Sequence, residues 1–120
     1  MFYITIILVF LNTIFAEKIP DVILLPNKQD YSQISSIIVA PGFGIGAEAY
    51  EPLGKILQSQ LADQGVGLYY GVPHMTGNIT TVGLKKAINR VAKEIQDVGL
   101  PEDHSTFYAG HSVGGALLPY

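Results

Sequence analysis

The chain reads as an α/β fold, a mostly parallel sheet with helices on both faces, and three observations predict it. Strand-like and helix-like segments alternate from Val22 onward. Ile37-Ile38-Val39-Ala40 is apolar without alternation, as in a strand buried on both of its faces. The run Ser105 to Ala109 passes through Gly110-His111-Ser112-Val113-Gly114 into the helix-compatible Gly115-Ala116-Leu117-Leu118, the pattern of a tight strand-to-helix turn that carries a serine. Such alternation makes parallel strands joined by crossover helices the expected topology.

Taken in order, Val22 to Leu25 is a short apolar run closed by Pro26-Asn27, which suits an edge strand. Polar residues from Asn27 to Ser36 read as a turn. Ile37 to Ala40 is the first internal strand and halts at Pro41-Gly42. From Glu48 to Ala62, Tyr50, Leu53, Ile56, Leu57 and Leu61 recur at helical spacing, with Pro52 tolerated in the first turn and Gly65 as the stop. Gly67 to Val72 is the second internal strand, and a loop through His74 and Asn78 follows Pro73. Thr80 or Thr81 is the expected cap of a helix over Val82 to Val98, whose Leu84, Ile88, Val91, Ala92 and Ile95 share one stripe. Gly99-Leu100-Pro101 ends it, and Ser105 to Ala109 is the third internal strand. Strand ends at Pro41 and Ser112 fall at the edge where open α/β sheets place their sites.

Composition narrows the function classes. Apolar residues at 48% against 14% charged exclude a disordered chain. A net charge of −3 gives no support for nucleic-acid binding, and Lys85, Lys86, Arg90 and Lys93 read as one solvated helix face. Without cysteine there is neither a disulfide nor a thiolate metal site. His74, His104 and His111 are too scattered for zinc, so no metal and no cofactor is expected.

Met1 to Ala16 is an apolar run ending in a small residue before Glu17-Lys18, too short to span a bilayer comfortably. It reads as a secretory signal peptide over 1–16, with export to the extracellular space. The alternative is an uncleaved anchor or a buried strand, since no Lys or Arg precedes the apolar core. Asn78-Ile79-Thr80 is a glycosylation sequon, which has meaning only on a secretory route.

The serine turn carries the chemistry. A serine pushed out of a sheet on a strained bend needs small residues two before and two after it, and Gly110 and Gly114 stand there. The bare spacing would arise by chance on the order of 0.1 times in a chain of this composition, and the flanking strand and helix sharpen it.

These residues resemble the α/β-hydrolase superfamily, more particularly its lipase and esterase branch, where Gly-His-Ser-x-Gly followed by a further small residue is common. The resemblance runs from about Val22 to Tyr120, so 21–120 is expected to be the N-terminal part of an α/β-hydrolase domain. Such a domain takes roughly 200 to 250 residues, which makes this a truncated form of the fold. The resemblance implies that Ser112 is the nucleophile toward a carboxylic, lipid-like ester. It also implies that the backbone N–H groups of Val113 and Phe43 receive the oxyanion. Pro41-Gly42-Phe43-Gly44 stands where the family carries a His-Gly-x segment, with proline in place of histidine. The same stretch also reads as a glycine-rich turn before a helix. It lacks the Lys and Ser/Thr of a phosphate-binding loop and is only a loose relative of the dinucleotide fingerprint.

A serine nucleophile needs a base, and the family supplies an acid and then a histidine after the serine. The eight residues that follow Ser112 hold neither. These 120 residues alone are therefore expected to show little or no turnover, to expose apolar surface and to associate. His111 is expected to pack in the elbow and His104 to lie at the opposite end of the sheet, while His74 falls in the loop after the second internal strand, at the end where a site would be, with a substrate-rim role as its minor reading. Two function classes remain. One is the N-terminal portion of a secreted serine hydrolase, whose partners are a small-molecule or lipid ester and, through the lipid, a membrane surface. The other is an inactive relative that acts as a binding module. A flavodoxin-like or dinucleotide-binding module also fits the alternation but leaves the elbow unexplained.

Overall fold

A computed structural model of the protein describes residues 19–81 and 83–118. Along the chain it contains β1 (Val22–Leu24), β2 (Gln33–Ala40), α1 (Glu51–Ala62), β3 (Val66–Val72), α2 (Leu84–Asp97), β4 (Ser105–Gly110) and α3 (Val113–Leu117). Single 3₁₀ turns cover Ala47–Tyr50 and Thr76–Asn78. The expected leader over 1–16 and the side chain of Asn78 lie outside the described residues.

The fold is α/β around a four-stranded mixed sheet in the order β1-β3-β2-β4. Central β2 pairs in parallel with β3 and with β4, whereas β1 runs antiparallel to β3. The antiparallel edge has a simple cause. A parallel connection needs a crossover of a dozen or more residues, and the link over 25–32 is too short to provide one. The chain leaves β1 and enters β2 at the same end of the sheet.

Alternation along the strands divides the core between two layers. Leu68, Tyr70 and Val72 of β3 join Val39 of β2 with Ala47 and Tyr50, and Leu57 and Leu61 of α1 pack on them. On the opposite face Ile38 and Tyr69 meet Val91 and Ile95 of α2. A third group, Ala40, Met75, Leu84 and Ala87, is flanked by Leu117 and Leu118 and lies beneath the strand ends. Each of the larger aliphatic side chains among them contributes about 1.5–3 kcal/mol on leaving water, which ties both helices to the central strand.

Three local expectations are corrected. β2 starts at Gln33 inside the expected turn, because its polar residues have partners in the sheet: buried Ser36 donates its Oγ hydrogen to Thr106 Oγ1 at 3.2 Å. The segment from Glu48 is divided, with a 3₁₀ turn ahead of the α-helix. Neither Thr80 nor Thr81 caps the second helix. Thr80 is buried and donates to the Pro41 carbonyl at 2.9 Å, and the helix is entered instead through Gly83 in the left-handed region at φ 75.

Asp21 fastens the edge strand to the rest. Its carboxylate, 4% exposed, accepts from Arg90 Nε at 2.8 Å, from Arg90 Nη2 at 2.7 Å and from the His74 N–H at 2.6 Å. Arg90 Nη2 also donates to the His74 carbonyl at 3.0 Å. Burial pushes the Asp21 carboxyl up, but the hydrogen bonds from Arg90 and from the His74 amide outweigh it and hold the group below its ordinary value. A carboxylate with a lowered folded pKa stabilises the fold above its unfolded pKa and loses that contribution as pH falls through the folded value. Asp21→Asn is therefore expected to lower stability by about 1–2 kcal/mol at neutral pH, with the difference from the wild type shrinking below about pH 4. Urea denaturation of both proteins across that range measures it, and a pH-independent difference would contradict the ion-pair account.

Candidate active site

β2 and β4 stay in register to their last pair, Ala40 opposite Gly110, so the loops that leave their carboxyl ends start as neighbours. His111 N–H extends the ladder by donating to the Ala40 carbonyl at 3.1 Å. The chain then bends at Ser112, with φ 55 and ψ −121. Among the described residues it is the one non-glycine with positive φ. Such a backbone costs on the order of 1–3 kcal/mol and persists only where its surroundings impose it.

Here the surroundings do impose it. A Cβ on Gly110 would stand 2.3 Å from Gly115 Cα, and one on Gly114 would stand 2.4 Å from the Ala40 oxygen and 2.5 Å from the Pro41 oxygen. All of these are backbone atoms with little room to move. Gly114 N–H donates to the His111 carbonyl at 3.0 Å and Ala116 N–H to the Ser112 carbonyl at 3.1 Å, which closes the turn into α3. Ser112 is left exposed at its apex. The two glycines expected around the serine are thus required by contact, and the bend is the strained one that the elbow pattern predicts.

The second loop leaves β2 through Pro41. Gly42 N–H donates to the Tyr50 hydroxyl at 2.8 Å, and Ile45 N–H returns to the Gly42 carbonyl at 3.3 Å. Phe43 lies at the outer part of this turn with its side chain 61% exposed. Neither Phe43 N–H nor Val113 N–H has a hydrogen-bond partner among the described residues. The fold thus brings the three sequence-predicted site residues to one end of the sheet, Phe43 on the loop after β2, and Ser112 and Val113 at the turn into α3.

The histidines go elsewhere. His111 Nδ1 lies 3.0 Å from the Tyr50 hydroxyl and the two rings meet edge to face, so His111 turns toward the Phe43 loop. His74 follows β3 at the same sheet end but belongs to the Asp21–Arg90 corner, and its Nδ1 is buried without a hydrogen-bond partner among the described residues. His104 Nδ1 lies 2.6 Å from the Pro101 carbonyl, just before the amino end of β4 and away from Ser112. Among the described residues no histidine or carboxylate is hydrogen-bonded to Ser112, and no group of three or more His, Cys, Asp or Glu is placed to hold a metal ion.

Tyr50 is the residue that sequence reasoning missed. Its spacing marks it as one more apolar position of a helix, whereas its hydroxyl joins the two loops of the site. Tyr70, whose hydroxyl is pushed up to about 12 by burial and by the nearby Tyr50, donates to the Tyr50 carbonyl at 2.8 Å and holds that turn in place. Local periodicity carries no signal for a contact that spans 61 residues.

Strain and contact make opposite forecasts for two neighbouring positions. Ser112→Gly relieves the positive φ and is expected to raise stability by up to about 1 kcal/mol. Gly114→Ala forces a methyl group onto two carbonyl oxygens and is expected to lower it by about 2–4 kcal/mol. Equilibrium denaturation of both variants reads the two signs, and a destabilised Ser112→Gly would deny that the bend is strained. Comparisons with known protein families, with curated proteins and with solved structures find no match to this chain.

Proposed function

We propose that Ser112 is the nucleophile of a secreted serine hydrolase of α/β-hydrolase architecture that cleaves carboxylic, lipid-like esters. The observation that carries this reading is the backbone of Ser112, φ 55 and ψ −121, held between two glycines that backbone contact makes obligatory. A protein keeps a bend of this cost where a hydroxyl must stand clear of its sheet.

The chemistry follows from the arrangement. Ser112 Oγ forms a bond to the ester carbonyl carbon while its proton passes to a base, and the carbonyl oxygen takes the negative charge. Val113 N–H and Phe43 N–H receive that oxyanion, and one well-placed donor of this kind is worth about 10²–10³ in rate. Collapse breaks the bond to the alcohol, which leaves with the proton from the base. Water then repeats the sequence to free the acid and Ser112. This reading requires a histidine set by a carboxylate as the base, and among the described residues none of His74, His104 and His111 is hydrogen-bonded to Ser112. Phe43, exposed, and Ile45, half-buried, give the entrance an apolar character that favours hydrophobic acyl groups over small polar ones. Export rests on the leader over 1–16, and a lipid substrate would bring the protein to a membrane surface.

One observation favours a second reading, a non-catalytic binding module. All six residues of β4 are exposed, with Phe107 at 56% and Tyr108 at 55%, a surface suited to covering by another polypeptide. A fluorophosphonate probe separates the two. The folded full-length protein is expected to be labelled at Ser112, and Ser112→Ala and the heat-denatured protein to remain unlabelled. A folded full-length protein that resists the probe would remove the hydrolase reading and leave the binding module.

A further inference from the structure

Tyr50 stands 9% exposed between the two loops of the site, and its hydroxyl has a fixed inventory of one proton and two lone pairs. One lone pair accepts Gly42 N–H at 2.8 Å. The remaining partner within the described residues is His111 Nδ1 at 3.0 Å. From this we infer that Tyr50 is a positioning residue that sets the oxyanion loop and the nucleophile turn in register, its hydroxyl accepting from Gly42 N–H and donating to His111 Nδ1. The inference rests on the hydrolase reading for its catalytic consequence, while the hydrogen-bond arrangement stands by itself.

The hydroxyl acts on both loops at once. On one side it draws Gly42 N–H inward, so that this amide is consumed and the next one, Phe43 N–H, is the group left to meet an oxyanion. On the other side it holds the ring of His111, the residue bonded directly to Ser112. The contact needs a glycine at 42, where a Cβ would stand 2.9 Å from His111 Nδ1 and 3.2 Å from Ile45 Cδ1. Tyr50 is itself held through its carbonyl by the Tyr70 hydroxyl at 2.8 Å, so the chain of contacts begins in the buried core. Donation to Nδ1 also fixes the tautomer, placing the proton of neutral His111 on Nε2.

Two measurements on the full-length protein test this. Nitrogen-15 NMR of the histidine rings is expected to show His111 as the Nε2–H tautomer, and Tyr50→Phe is expected to mix the tautomers and move the Gly42 amide proton upfield. His111 found as the Nδ1–H tautomer, or a Gly42 amide unmoved in Tyr50→Phe, would overturn the arrangement. The tautomer is read on the unmutated protein and needs no variant that folds. In ester turnover, Tyr50→Phe is expected to lower kcat about 10- to 100-fold with KM within about twofold, because a displaced donor is felt in the transition state. Wild-type kcat in Tyr50→Phe, with Ser112→Ala inactive, would refute the positioning role and spare the hydrolase. Turnover that survives Ser112→Ala would instead refute the hydrolase, with the NMR result still deciding the contact.

Discussion

The site depends on one steric constraint, the approach of two backbones at the carboxyl ends of β2 and β4. Because Ala40 and Gly110 are paired, the carbonyls of Ala40 and Pro41 stand where a side chain at 114 would go. Gly115 stands where a side chain at 110 would go. The chain can leave β4 and enter α3 only by turning sharply between these two glycines, and Ser112 takes the positive-φ conformation that the turn demands. Strain at the serine is a consequence of strand packing, which is why the core matters to the proposed chemistry. Ala40, within that core, pairs with β4, accepts His111 N–H and borders Gly114.

Much of this architecture was legible in local pattern. Continuous apolar runs marked the interior of β2 and β3, a single stripe marked α2, and the glycine spacing marked the bend at Ser112. What stayed hidden was long-range pairing. The direction of β1 is set by the length of the link to β2 and not by its own three residues. Ser36 looked like part of a polar turn because the partner that makes it acceptable in a strand, Thr106, lies 70 residues away. Thr80 looked like a helix cap, yet its hydroxyl is spent on Pro41 beside the site. Arg90 looked like part of a solvated helix face, yet it forms a partly buried pair with Asp21, 69 residues away. In each case a polar side chain is satisfied by a group that only the folded chain brings near.

Tyr50 shows how the same limit applies to function. Periodicity sorts side chains by the face they occupy, and by that rule Tyr50 is core, which is correct for its ring. The hydroxyl at the end of the ring escapes the rule, because an aromatic residue can lie in an apolar layer and still deliver one polar atom at its margin. Here that margin is the boundary between the loop after β2 and the turn after β4. Sequence marked both loops by their glycines, and it is the tyrosine between them that gives them a common reference point.

The exposure of β4 bears on the proposed chemistry as well as on stability. The strand has neither lysine nor proline to blunt its outer edge, and it presents two aromatic side chains to solvent. Ser112 follows directly from it and is exposed too. Hydrogen bonds to a developing oxyanion gain most of their strength where water is excluded, since the same dipoles act far more weakly in a high dielectric. Whatever covers Phe107 and Tyr108 would therefore also dry the ground beside Ser112. In the hydrolase reading, the covering of the sheet edge and the activation of the serine are a single requirement. A chain that meets the first without supplying a base would keep the elbow and lose the reaction.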